Sequence, residues 1–162
     1  MRKQRGFSLI ELLIVVAIIL IIAAIAIPNL MHARMAAYES SAVESLRTIN
    51  TAEITYSSTY PSVGFAPNLA VLGGAGPCVP NSATACLIPS DLAGGIKSGY
   101  NFTAVGSGGP PATTYYATAV PMTLNQTGTR SFCSFEDGVI RVQPTGAAIP
   151  SQAACEALLP LQ

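Results

Sequence analysis

The sequence predicts an α+β chain: a long N-terminal helical spine, apolar in its first half and amphipathic in its second, packed on a small antiparallel sheet. Three observations carry this. From Phe7 to Ile27 the only polar side chains are Ser8 and Glu11. From Asn29 to Tyr60 neither Gly nor Pro occurs, and apolar residues recur at spacings of three or four. From Tyr100 to Gln143 four short runs are rich in Val, Ile, Thr, Tyr and Phe and are separated by turn-forming residues.

The apolar run comes first. It holds 21 residues, and at about 1.5 Å per residue it spans roughly 31 Å, the thickness of a bilayer core. Arg2, Lys3 and Arg5 precede it and no cation lies within it. The N-terminus is therefore expected to stay cytoplasmic and the rest to be exported. A cleaved secretory signal would have a shorter apolar region followed by a small-residue site, and Pro28-Asn29-Leu30 does not resemble one. A simple anchor explains the length but not Glu11. An ionised side chain costs at least about 2.5–3.5 kcal/mol at the centre of a membrane helix, and less near an interface. Glu11 therefore calls for a partner, and the next cation downstream is Arg34.

The stretch KQRGFSLIELLIVVAIILIIAAIAIPN, Lys3 to Asn29, resembles the N-terminus of type IV pilins and the related pseudopilins. The match comprises a basic leader ending in Gly6, then Phe7, then Glu11 five positions into the mature chain, an unbroken apolar run, and Pro28. It implies the pilin fold and an anchoring and polymerising role for the helix. It implies cleavage between Gly6 and Phe7 by a prepilin peptidase on the cytoplasmic side, and N-methylation of the Phe7 amine. Cleavage creates an α-amino cation that did not exist before. Glu11 of one subunit can then pair with that amine on a neighbour. Breaking a buried pair costs about 3–5 kcal/mol, so assembly would depend on processing. Gly6 suits a protease subsite that needs a small residue.

Pro28 removes a backbone donor and clashes with the preceding turn. A kink with the helix continuing is expected, because the following residues are strongly helical. Met35, Tyr38, Ala42, Leu46, Ile49, Glu53 and Tyr56 form the buried stripe, while Glu39, Glu44, Arg47 and Asn50 fall between them. Glu44 and Arg47 are spaced to pair. His32 and Arg34, just past the membrane edge, are read as headgroup contacts. Pro61 and Gly64 end the helix near Tyr60.

From Pro61 to Gly99, Gly-Gly pairs and five prolines predict a surface connection. Within it Asn68–Leu72 and Ser90–Ala93 read as single helical turns, the second capped by Ser90 or Asp91. The strand runs are Tyr100–Val105, Thr113–Val120, Arg130–Phe135 and Val139–Gln143, with a tight turn at Glu136-Asp137-Gly138. A sheet of three or four strands follows. Ser151 caps a short helix in SQAACEALL.

Cys78, Cys86, Cys133 and Cys155 all lie in the C-terminal part and lack CxxC spacing. An even count behind a membrane-targeting segment reads as two disulfides in an oxidising compartment. Three pairings are possible. The sequence-local one is favoured, with Cys78–Cys86 clipping the Pro-rich connection and Cys133–Cys155 tying the tail to a strand. The domain plan is thus a leader at 1–6, a transmembrane and polymerisation helix at 7–28, an amphipathic helix at 29–60, a connecting loop at 61–99, and a disulfide-tied sheet region at 100–162.

Only 10% of the 162 residues are charged and the net charge is zero. No basic patch points to nucleic acid. The single histidine, His32, builds neither a catalytic nor a metal cluster. Glu136 and Asp137 alone are too few oxygens for calcium, so neither a metal nor another cofactor is expected, and no enzyme. Asn101-Phe102-Thr103 and Asn125-Gln126-Thr127 match the N-glycosylation triplet, which is common by chance.

The resemblance implies a filament subunit of an extracellular type IV pilus. Its partners would be further copies of itself in a helical filament, the prepilin peptidase and methyltransferase, inner-membrane assembly machinery, and the bilayer before assembly. The precursor would sit in the inner membrane with its C-terminal domain periplasmic. A type II secretion pseudopilin is the neighbouring alternative, though such proteins usually carry an acidic calcium loop and few cysteines. A membrane-anchored binding module that never polymerises is the alternative from another class.

Overall fold

The computed structural model describes residues 7–74 and 76–161; the leader, including Gly6, lies outside them. The chain divides after Arg34 into two compact units. The first is helical from Leu9 onward. Helix α1, Leu9–Thr59, continues through Pro28 and extends into the second unit.

In the second unit, α1 buries Ala42, Leu46, Ile49, Ala52 and Tyr56. These meet Tyr100, Tyr115, Ala117, Ala119 and Phe132 in one apolar cluster. The spacing of three and four residues places them on one helix face, which the sheet covers. The helix closes where Tyr60 and Gly64 amides donate to the Tyr56 and Tyr60 carbonyls, and Pro61 prevents continuation.

The connection that follows holds two one-turn helices, α2 (Leu69–Leu72) and α3 (Ser90–Ala93). Asn68 caps α2 by accepting from the Val71 amide. The cap of α3 is Pro89, without a side-chain bond. The expected capping by Ser90 or Asp91 does not occur, because both residues already lie inside the turn.

The sheet has six antiparallel strands in chain order rather than three or four. They are β1 (Ile96–Lys97), β2 (Tyr100–Ser107), β3 (Thr114–Pro121), β4 (Ser131–Phe135), β5 (Arg141–Gln143) and β6 (Leu159–Pro160). The sheet therefore begins inside the stretch expected to be loop. Ser98 and Gly99 both adopt positive φ, +47° and +74°, the geometry of a two-residue hairpin turn. That turn pairs Ile96 with Asn101 and Lys97 with Tyr100. The last hairpin turns at Phe135–Gly138 as the EDG triplet predicts, with the Gly138 amide donating to the Phe135 carbonyl.

A second, smaller apolar cluster lies on the sheet face away from α1. It comprises Cys133, Phe135, Ile149 and Cys155, with Tyr116, Ala154 and Leu158 against it. Helix α4 (Gln152–Glu156), capped by Ser151 through the Ala154 amide, supplies Cys155. Strand β4 is consequently buried on both faces.

Candidate functional site

The apolar half of α1 is the first candidate. From Phe7 to Arg34 every residue but Ala23 is exposed. The 18-residue window that defines a membrane span has mean hydropathy 3.3 and none of it is buried. At about 25 cal/mol per Å² of apolar surface removed from water, such a helix cannot remain bare in solution. Lipid or other polypeptide must cover it.

Glu11 is the one carboxylate in this stretch, and it has a local hydrogen-bond donor. The Ser8 amide donates to Glu11 Oε2 at 3.0 Å, and the Leu12 amide donates to the Ser8 carbonyl at 3.2 Å. Ser8 and Glu11 thus form one arm of a capping box, with Glu11 in the first turn. A helix N-terminus also favours negative charge. Sequence reasoning missed this bond, although the S-x-x-E spacing of Ser8 and Glu11 is a signal for it. The carboxylate is therefore already partly satisfied within its own chain. Phe7 is exposed at the start of the helix.

The second group of functional side chains fixes α1 to the sheet. Glu39 was expected between the buried positions, yet it is only 6% exposed. Its Oε1 accepts from the Thr129 amide and hydroxyl and the Arg130 amide, and its Oε2 accepts from Arg130 Nε at 2.8 Å. Arg130 Nη2 completes the ion pair at 2.7 Å. Burial opposes ionisation of Glu39, but the donors from Thr129 and Arg130 outweigh it and hold its carboxyl below the usual range. Asn50, also placed among the polar positions, is buried as well. It accepts from the Ser134 hydroxyl and donates to the Gly138 carbonyl.

Glu53 sits on the buried stripe as predicted and is fully enclosed. Its Oε2 accepts from the Ala66 amide at 2.8 Å, while Oε1 has no partner among the described residues. Burial pushes this carboxyl up to about 7, against the smaller opposing pull of the Ala66 amide. Ala66 in turn accepts from the Gly106 amide. Glu53 therefore stitches the start of the connection to α1 next to β2.

Both disulfides take the sequence-local pairing, Cys78–Cys86 and Cys133–Cys155. Tyr56 donates from its hydroxyl to the Ser82 carbonyl at 2.6 Å, holding the first disulfide loop against α1. Glu44 and Arg47 pair at 3.3 Å on the exposed face. Asp137 pairs with Arg141 at 2.7 Å, and Glu136 accepts from Gln152. No group of three or more metal-ligating side chains occurs among the described residues.

The described residues thus combine a helix whose N-terminal stretch is apolar and exposed with, in the second unit, a helix-backed meander sheet. Residues 1–27 match the family described as the prokaryotic N-terminal methylation motif. Over 72 residues, 40% of this chain and 33% of the relative, it is 44% identical to the type IV major pilin protein PilA of Myxococcus xanthus. Over 40 residues, 25% of this chain and 30% of the relative, it is 60% identical to the type IV wide pilus major component PilA4 of Thermus thermophilus. The chain thus aligns with about a third of the length of each of these curated relatives. No solved structure matches it.

Proposed function

We propose that this chain is a pilin, the structural subunit of an extracellular type IV pilus. The observation that carries this reading is the methylation motif over residues 1–27 joined to an exposed apolar helix with a single carboxylate at Glu11. In this reading hydrolysis of the Gly6–Phe7 peptide bond releases the leader and leaves a new α-amine on Phe7. The amine is methylated and remains cationic. The precursor rests in the inner membrane through the apolar half of α1, with its C-terminal unit exported. On assembly the helix passes from lipid into a bundle of like helices, and Glu11 exchanges surroundings with it.

Glu11 then pairs with the Phe7 amine of a neighbouring subunit, which sets the axial register between copies. Its bond to the Ser8 amide fixes the carboxylate near the helix start while it waits. Pro28 supplies the bend point of the spine. The role of the chain is structural rather than catalytic.

The reading is tested on fibres sheared from the cells that make the protein. Mass spectrometry is expected to find a chain beginning at methylated Phe7. Fibres that keep the leader, or surface fibres that lack the protein altogether, would sink the proposal. If deletion instead abolishes enzyme export without removing fibres, the chain is a secretion pseudopilin.

A further inference from the structure

We infer that one rim of the C-terminal unit rests on the phospholipid surface while the subunit is still a membrane-anchored precursor. This rests on the membrane-anchored reading of Phe7–Ile27. The rim comprises the β1–β2 hairpin and the loop between β3 and β4. Two contacts locate it on the axis of α1. Glu39 binds Thr129 and Arg130 at the end of the β3–β4 loop, and the Ser41 hydroxyl donates to the Ser98 hydroxyl in the β1–β2 turn at 3.0 Å. The Met122 amide donates to the Gly99 carbonyl, joining the two loops. Both therefore gather around the first turns of α1 within this unit. The opposite end is marked by Glu53 with Ala66 and by Tyr56 with Ser82.

The rim has the composition of an interfacial surface. Ile96, Met122 and Leu124 are exposed there by 56%, 51% and 49%. Lys97 follows Ile96 in β1, and from Gly94 to Gly99 and from Met122 to Arg130 there is no acidic residue. The remaining cation, Arg130, is neutralised by Glu39. Exposed apolar side chains on the same rim as a lysine without an ion-pair partner among the described residues suit the boundary between acyl chains and anionic headgroups.

Connectivity keeps the rim within reach of that boundary. The apolar run ends at Ile27, and the C-terminal unit begins at Met35. Eight helical residues span about 12 Å. The headgroup zone takes up roughly 5–8 Å of this. A second copy of the chain is the competing occupant of the same surface.

The chain contains no tryptophan, so a single introduced Trp is an unambiguous reporter. Ile19→Trp, Leu124→Trp, Met122→Trp and Val79→Trp are made in the full-length precursor. Each is reconstituted in vesicles of phosphatidylglycerol and phosphatidylcholine, the latter brominated in its acyl chains near the headgroup. Val79 is an exposed control in the disulfide loop held by Tyr56. Bromolipid is expected to remove much of the emission at positions 122 and 124 and little at 79. Lys97→Glu added to Leu124→Trp is expected to restore part of it. Quenching at 19 but equal, weak quenching at 124 and 79 overturns the rim while leaving the anchor intact. Absence of quenching at 19 overturns both. Emission at 124 that changes only when fibres form assigns the rim to a neighbouring copy and also overturns the proposal.

Discussion

Glu39 and Glu53 lie on one helix and are both buried, yet their charge states respond to pH in opposite senses. Glu39 titrates below its ordinary range. Its contribution to stability is present above the unfolded-state value and is lost as pH falls through the lowered folded value. Glu53 titrates near 7 in the folded state. Its neutral form is the one the fold prefers, so its contribution is complete below about 4.5 and is lost as pH rises through about 7. Replacing Glu53 by Gln is expected to leave stability near pH 4 little changed and to raise it at pH 8, by up to about 3 kcal/mol. Thermal melts of the full chain in detergent across that range check it, and a parallel pair of curves would contradict it. Glu39→Ala strands Arg130 and three further donors, and is expected to cost about 3 kcal/mol at pH 7. Denaturant titration measures that loss. Of these residues only Glu53 was legible as buried. Glu53 falls on the apolar repeat itself, whereas Glu39 falls between its positions, and spacing alone assigns such a carboxylate to solvent. The partners here include backbone amides of Ala66, Thr129 and Arg130, which leave no mark on sequence.

At the level of elements, the long helix, the two one-turn helices and the four principal strands were legible because each has a period, a cap or a turn residue of its own. Strands β1 and β6 were not, since two residues carry no alternation. Their pairing depends on the positive φ at Ser98 and Gly99 and on the tail returning beside β5. The disulfides divide the labour among the elements. Cys133–Cys155 closes 22 residues and holds α4 over the outer sheet face. Cys78–Cys86 closes only 8 residues within the connection. Loop-closure entropy assigns the larger roughly 3.4 kcal/mol and the smaller about 2.5 kcal/mol. Paired Cys→Ala replacement of the larger bridge is expected to lower stability further than that of the smaller. It should also expose the amides of residues 149–161 to hydrogen exchange while those of α1 in the same unit stay protected. Equal losses from the two replacements, or loss of protection along α1, would refute this division.

For the whole molecule, the decisive prediction concerns Glu11. Glu11→Gln keeps an acceptor for the Ser8 amide but removes the charge, whereas Glu11→Ala removes both. If pairing with a processed amine governs assembly, both variants are expected to insert in the membrane and to fail as filaments. If capping alone matters, Glu11→Gln is expected to assemble almost normally. Counting surface fibres by electron microscopy separates the two. The apolar run and the periodicity after it made the long helix readable from residues alone. The C-terminal unit was readable in class but not in detail, because its specificity lies in contacts between distant parts of the chain. The two apolar clusters on opposite faces of β4 have a separate consequence. The exterior cap has its own packing and its own covalent fastener, so evolution is free to redecorate what the surroundings meet without disturbing the face on which the spine is seated.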